Sequence, residues 1–187
     1  MTLVRDLAPT AALSRLRAMP VPELTRLGEM FEPSLRLWGA DLPDSGGQSL
    51  IGFTAVPGGE WALGIEPNGF LGVTDEAAVP LSAGGTLVSH YRNFNAGGSF
   101  LWVEDGDVRL RFNPLDPAWR EGSSPDALVT VMRQIGFDLG EDGETEHPAE
   151  ASFALAEHLT GVRVTVGLLE DSAYQCGIAP VPDTPFE

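Results

Sequence analysis

A chain of 187 residues with 43% apolar side chains and four tryptophans can close one core, hiding about 70% of the surface its unfolded form exposes, and is short for two ordinary domains. Its 27 acidic residues against 11 basic ones give a formal charge of −16, which argues against nucleic-acid binding, where a basic footprint is needed, and against adhesion to an anionic membrane surface. The one cysteine, Cys176, excludes an intrachain disulfide.

Other global features point the same way. No apolar run approaches the roughly 20 residues of a membrane helix. The start, Met1-Thr2-Leu3-Val4-Arg5-Asp6, lacks a basic n-region and an apolar h-region, so a cytoplasmic protein is expected. Every basic residue is an arginine, and the chain is rich in Ala, Gly and Pro; this reads as the codon supply of a GC-rich genome, such as an actinomycete's. The acidity leaves room for a protein partner with a basic surface, because opposite fields speed encounter. It also serves solubility alone.

In chain order, Thr2–Arg5 reads as a short first strand. Pro9 to Met19 places Ala12, Leu13, Leu16 and Met19 at helical spacing, with Pro20 as a stop. Pro22 to Met30 repeats that pattern, and Pro33 to Gly47 reads as a loop or linker. From Gln48 the period becomes two. Leu50–Val56 and Glu60–Glu66 flank Pro57-Gly58-Gly59, a hairpin turn. Thr86–Phe94 is a further strand. Ser99–Glu104 and Asp107–Phe112 form a hairpin about Asp105-Gly106, with Val108, Leu110 and Phe112 facing one way and Arg109 and Arg111 the other.

Residues 113–124 read as a loop leading to a helix that Ser124-Pro125-Asp126 opens and Gly136 ends. Gly140 to Glu146 is an acidic loop. Ala149–Thr160 is a helix, Val162–Val166 a late strand, and Tyr174–Ile178 the last strand. Residues 1–179 are expected to form one domain and 180–187 a flexible tail. The fold class is α+β: an antiparallel meander of about five to seven strands, because short connections forbid parallel neighbours, with helices packed mainly on one face.

Catalytic signatures are sparse. His90, His147 and His158 show no i,i+3 or i,i+4 pairing, so no metal site is expected. There is no G-x-S-x-G elbow, and the glycine pairs at 84–85 and 97–98 lack the Lys-Ser/Thr of a phosphate loop. Cys176 has no base beside it and reads as a small buried side chain. No catalytic residue and no cofactor are expected. His90 and Arg92 share one strand face; if Arg109 and Arg111 share it too, an acidic protein carries a basic patch suited to a carboxylate or phosphate. Solvation of His90, and pairing of the arginines with surplus Asp and Glu, is the plainer reading. Trp119-Arg120, beside Asp116, has the chemistry of a contact hot spot, or of a cover for the core.

Several stretches resemble a family of small actinobacterial proteins known as a domain of unknown function, DUF6461. They include Trp61-Ala62-Leu63-Gly64-Ile65-Glu66-Pro67-Asn68-Gly69-Phe70-Leu71-Gly72, Phe112-Asn113-Pro114, Met132-Arg133-Gln134-Ile135-Gly136-Phe137-Asp138 and Ala156-Glu157-His158-Leu159-Thr160-Gly161-Val162. Against that family the chain starts late, without an upstream acidic, tryptophan-containing segment. The resemblance implies no activity and no site residues. Two functions are therefore carried forward. The first is a non-catalytic interaction module of accessory, regulatory or immunity type, binding another protein. The alternative is a small-molecule binder or enzyme using the polar face of His90, Arg92, Arg109 and Arg111.

Overall fold

Alternating Val, Leu and Phe put one side chain in two on each side of an extended backbone, so each strand can bury both of its faces only if something covers both. The computed structural model of the chain describes residues 1–39, 47–93, 97–141 and 143–182. Its strands are β1 (Thr2–Arg5), β2 (Met19–Pro20), β3 (Gln48–Ala55), β4 (Trp61–Ile65), β5 (Thr86–Arg92), β6 (Gly98–Glu104), β7 (Asp107–Asn113), β8 (Asp116–Glu121) and β9 (Gln175–Pro180). The helices are α1 (Pro9–Arg15), α2 (Leu27–Gly39), α3 (Asp75–Ser82), α4 (Val129–Ile135), α5 (Pro148–Thr160) and α6 (Val166–Asp171), with a 3-10 turn at Leu71–Val73.

The protein is α+β, with one antiparallel sheet in the order β2-β9-β3-β4-β1-β5-β6-β7-β8. Among the described residues the sheet has nine strands, more than the five to seven expected. Only β5 to β8 form a simple meander; β1 lies between β4 and β5, and β9 returns to pair with β3. No described helix is long and apolar enough to cross a membrane.

Apolar clusters lie on both sides of the sheet. Val4, Leu87, Leu101 and Val103 bury against Ala12 and Leu13 of α1 and Ala78 and Leu81 of α3. On the other side Val88, Phe100, Leu110 and Phe112 meet Met132 of α4 and Leu155 of α5. Leu3, Trp61 and Leu63 pack with Val162, and Leu50 and Cys176 with Met30 of α2. Phe53 and Phe100 are fully buried, and truncating either to Ala would cost about 3–5 kcal/mol.

Local chemistry explains the boundaries. Asp105 (φ 46°) and Gly106 (φ 82°) adopt the positive φ that the β6–β7 turn requires. Gly136 (φ 113°) ends α4 in the left-handed region.

The differences from the sequence reading have local causes. Residues 116–121 form β8, although Pro117 and the polar composition mark them as loop. Helix α2 starts at Leu27, not at Pro22, and runs through Pro33. Val162–Val166 is no strand: Val162 and Val164 join an apolar cluster, and Val166 opens α6. A register shift at Trp102/Val103 pairs Val103 with Val108 but Trp102 with Leu110. This bulge turns Val108 to the side opposite Leu110 and Phe112. Phe94, residues 40–46 of the expected linker and residues 183–187 of the expected tail lie outside the described residues.

Both sheet edges are blunted. β2 is two residues long and contains Pro20. On β8 the Arg120 guanidinium donates to the carbonyls of Pro117 (2.5 Å) and Ala118 (3.2 Å). Short edges, proline and occupied carbonyls discourage edge-to-edge pairing.

Candidate functional site

The central strand β1 is also one of the shortest. It pairs with β4 through Thr2↔Gly64 and with β5 through Thr2↔Ser89. One residue earlier, the Met1 amino group donates to the His90 carbonyl (2.8 Å) and the His90 N–H donates to the Met1 carbonyl (2.9 Å). Beyond Met1, β5 runs on to Arg92 and the chain after β4 continues through Glu66. A cleft of ≈ 690 Å³ opens there, lined by Glu66, Asn68, Phe70, His90, Tyr91 and Arg92 among others.

Glu66 builds one wall. Its Oε2 accepts from Ser49 Oγ and the Leu71 N–H, both at 3.0 Å, and its Oε1 accepts from the Gly72 N–H at 3.0 Å. The carboxylate thus stands in for the backbone partners that the 67–72 loop lacks. Burial raises its pKa, while the Gly72 and Leu71 N–H groups, the Met1 amino group and the Ser49 hydroxyl pull it back. Gly72 lies so close to β1 that a Cβ there would collide with the Thr2 and Ser89 hydroxyls. Those hydroxyls are 3.0 Å apart, and Ser89 Oγ also donates to the Met1 carbonyl (3.1 Å).

His90 is 6% exposed. Its ring meets Phe153 of α5 edge-on, 5.6 Å between centroids, and makes no hydrogen bond to any described residue. Desolvation, then the charges of the Met1 amino group and Arg92, push its pKa down to about 3. The ring is therefore neutral at physiological pH, with one nitrogen able to donate and the other to accept. Arg92 is exposed and has no carboxylate within ion-pair distance among the described residues.

The structure separates the four residues of the sequence-stated patch. Register places His90 opposite Phe100, and Phe100 opposite Phe112; Ser89 stands opposite Leu101, and Leu101 opposite Arg111. Arg111 therefore lies on the sheet side opposite His90 and Arg92. It pairs with Asp75 and with Glu121 (3.6 Å). Arg109 pairs with Asp107 (3.2 Å) and Glu104 (3.6 Å) and stacks over Trp102. Arg120 is held by Asp126 (2.9 Å) and its carbonyls, while Trp119 is 73% exposed on β8.

Along its whole described length the chain matches one family model. It belongs to the family of unknown function DUF6461, matched over residues 1–184. No curated protein and no solved structure matches it. Family membership thus assigns no chemistry, and the cleft must be read from its own groups.

Among the described residues, Ser89 has the Thr2 hydroxyl and the Met1 carbonyl as its hydrogen-bond neighbours. The Glu66 carboxylate is committed to three donors. Among the described residues no three His, Cys, Asp or Glu side chains gather as metal ligands. Cys176 is buried, and burial, with the charge of Glu29, pushes its thiol up to about 11. It should react with a thiol reagent such as DTNB at least tenfold faster in denaturant than in the native protein; equal rates would contradict its burial.

Sequence reasoning missed Glu66. Its signal is a carboxylate directly before Pro-Asn-Gly at a strand end, where a turn needs acceptors for its N–H groups.

Proposed function

We propose that the chain is a non-catalytic recognition module, of accessory, regulatory or immunity type, that binds another protein through the cleft ahead of β1. The observation that carries this reading is the cleft wall, where His90, whose ring makes no hydrogen bond to a described residue, stands beside Arg92. The His90 nitrogens are not among the fully buried unpaired polar atoms, so they keep a donor and an acceptor that solvent reaches and that a ligand can take over. Arg92 adds, at the same place, a cation without a carboxylate partner among the described residues in a protein of charge −16. A small polar molecule in the same cleft is the second reading, favoured by its volume of ≈ 690 Å³. The arginine-only basic set supports an actinobacterial origin, and cytoplasmic residence is proposed with it.

The test is affinity purification from the host with a carboxy-terminal tag, which leaves Met1 and the cleft unencumbered. A specific partner should be lost from Arg92→Glu and retained by the double variant Arg109→Ala/Arg111→Ala, whose guanidinium groups are already paired elsewhere. Retention by Arg92→Glu with loss from Trp119→Ala would move the binding surface to β8 and refute the cleft.

A further inference from the structure

We propose that the end of β5 and the start of α5 form a binding site for a carboxylate, held by Arg92, His90 and the first free N–H groups of the helix. This inference rests on the recognition reading above and names the chemical group that the partner presents.

The site lies on the face of the sheet that α5 covers. His90 and Arg92 share that face, and Phe153 of α5 meets the His90 ring edge-on. Where β5 ends, the two residues line a small hollow together with Asn113 of β7 and with Pro148 and Ala149 of α5. Its volume of ≈ 10 Å³ admits one water-sized group. His90 and Arg92 line the larger cleft as well, so the two spaces adjoin.

The start of α5 is electropositive and uncapped. The helix runs for 13 residues, and its aligned peptide dipoles leave a partial positive charge at that end. His147, the N-cap residue, makes no side-chain cap, and Pro148 has no N–H to offer. The Ala149 and Glu150 N–H groups have no acceptor among the described residues. Arg92, exposed and without a carboxylate partner among those residues, stands at the same hollow. A guanidinium and the positive end of a helix repel one another. An anion between them turns that repulsion into two attractions.

His90 points to the same ligand independently. The residue is 6% exposed, its ring makes no hydrogen bond to a described residue, and its nitrogens are not among the fully buried unpaired polar atoms. They therefore open onto the spaces that the residue lines. Desolvation, with the charges of the Met1 amino group and Arg92, keeps the ring neutral, so it offers one N–H donor. Asn113 adds another: its Oδ1 accepts from the Leu115 N–H (3.1 Å), which leaves its NH₂ to donate. Glu146 and Glu150, the carboxylates nearest in sequence to the helix start, are exposed and line no part of the hollow. Room for one oxygen selects a flat carboxylate, with its second oxygen on the Arg92 fork, over a phosphate with three oxygens to satisfy.

The experiment titrates the ¹⁵N-labelled full chain at pH 7 with sodium acetate, against sodium chloride at equal ionic strength, and reads NMR shifts. Acetate should move the Ala149 and Glu150 amides and the Arg92 Nε–H along one saturable curve, and chloride should not. Arg92→Ala should weaken acetate by about tenfold or more, and His90→Phe several-fold, while Arg109→Ala/Arg111→Ala leaves the affinity unchanged. The peptide acetyl-Gly-Glu-Gly-amide should displace acetate, and its glutamine analogue should not. The proposal is overturned if acetate gives no saturable shift, if the shifts spare Ala149 and Glu150, or if Arg92→Ala binds acetate like the wild type. Phosphate binding much tighter than acetate would overturn the choice of carboxylate. Acetate binding from which the glutamate peptide is excluded would overturn the partner's side chain as its source. Capture of a partner by the tagged protein without acetate binding would strike this site and leave the recognition reading standing; acetate binding with no partner captured would keep the site and strike that reading.

Discussion

Acidification is expected to destabilise the wild-type protein more than its His90→Phe variant. The His90 pKa lies at about 3 instead of 6.5, chiefly because the ring is desolvated. A histidine held neutral by folding is protonated more readily in the unfolded chain. Between about pH 6.5 and about pH 3 the unfolded state therefore binds more protons, and stability rises with pH across that window. The slope is about 1.4 kcal/mol per pH unit, so this residue removes roughly 2–3 kcal/mol between pH 6.5 and pH 4.5. Phenylalanine keeps the edge-on contact with Phe153 and does not titrate. Urea unfolding of both proteins from pH 7 to pH 4 gives a difference curve in which the acidic residues common to both cancel. The variant should gain on the wild type as pH falls; parallel curves would show that the ring is hydrated and that the cleft wall is not as described.

The same residue shows what a sequence can and cannot disclose. The alternation Ser89-His90-Tyr91-Arg92 fixes that His90 and Arg92 share a face, and the structure places both at the cleft. Whether Arg109 and Arg111 join them depends on cross-strand register, which the β5–β6 connection and the bulge at Trp102/Val103 set and which leaves no mark in local composition. The hairpins around Gly58-Gly59 and Asp105-Gly106 are legible because the turn chemistry is confined to two residues. The place of β1 is not: four residues pair with partners some 60 and 85 positions away, and nothing in Thr-Leu-Val-Arg distinguishes a central strand from an edge. β8 hides behind Pro117 and α3 behind Pro80, each a residue that lowers local propensity where tertiary contacts prevail. A cleft formed where a central strand begins is thus a product of topology, visible only once β4 and β5 are known to flank β1.

Glu66→Ala is expected to lower stability by about 2–4 kcal/mol, because it strands the Leu71 and Gly72 N–H groups and the Ser49 hydroxyl without their acceptor. Each unsatisfied buried donor costs about 1–3 kcal/mol; Glu66 is half-buried, so water recovers part of that sum. For a chain of this length the loss corresponds to a melting temperature roughly 5–15 °C lower. Glu66→Gln retains a carboxamide oxygen but turns an N–H₂ towards one of the donors, and should lose about half as much. Its pH dependence separates charge from shape. The Glu66 pKa is raised by burial, so the folded state binds the proton more readily than the unfolded one. Its contribution is then fully present below the unfolded value and lost as pH rises above it, opposite in sign to that of His90. Relative to the glutamine variant, the wild type should therefore be most stable at acid pH and lose ground as the carboxylate ionises. The loop that Glu66 holds is also the wall facing Arg92. Glu66→Ala should thus lose the captured partner even below its own melting range, whereas a variant of equal thermal cost in the distant cluster, such as Met132→Ala, should retain it. Equal loss of the partner from both variants would reduce Glu66 to a general contributor to stability and detach it from the cleft.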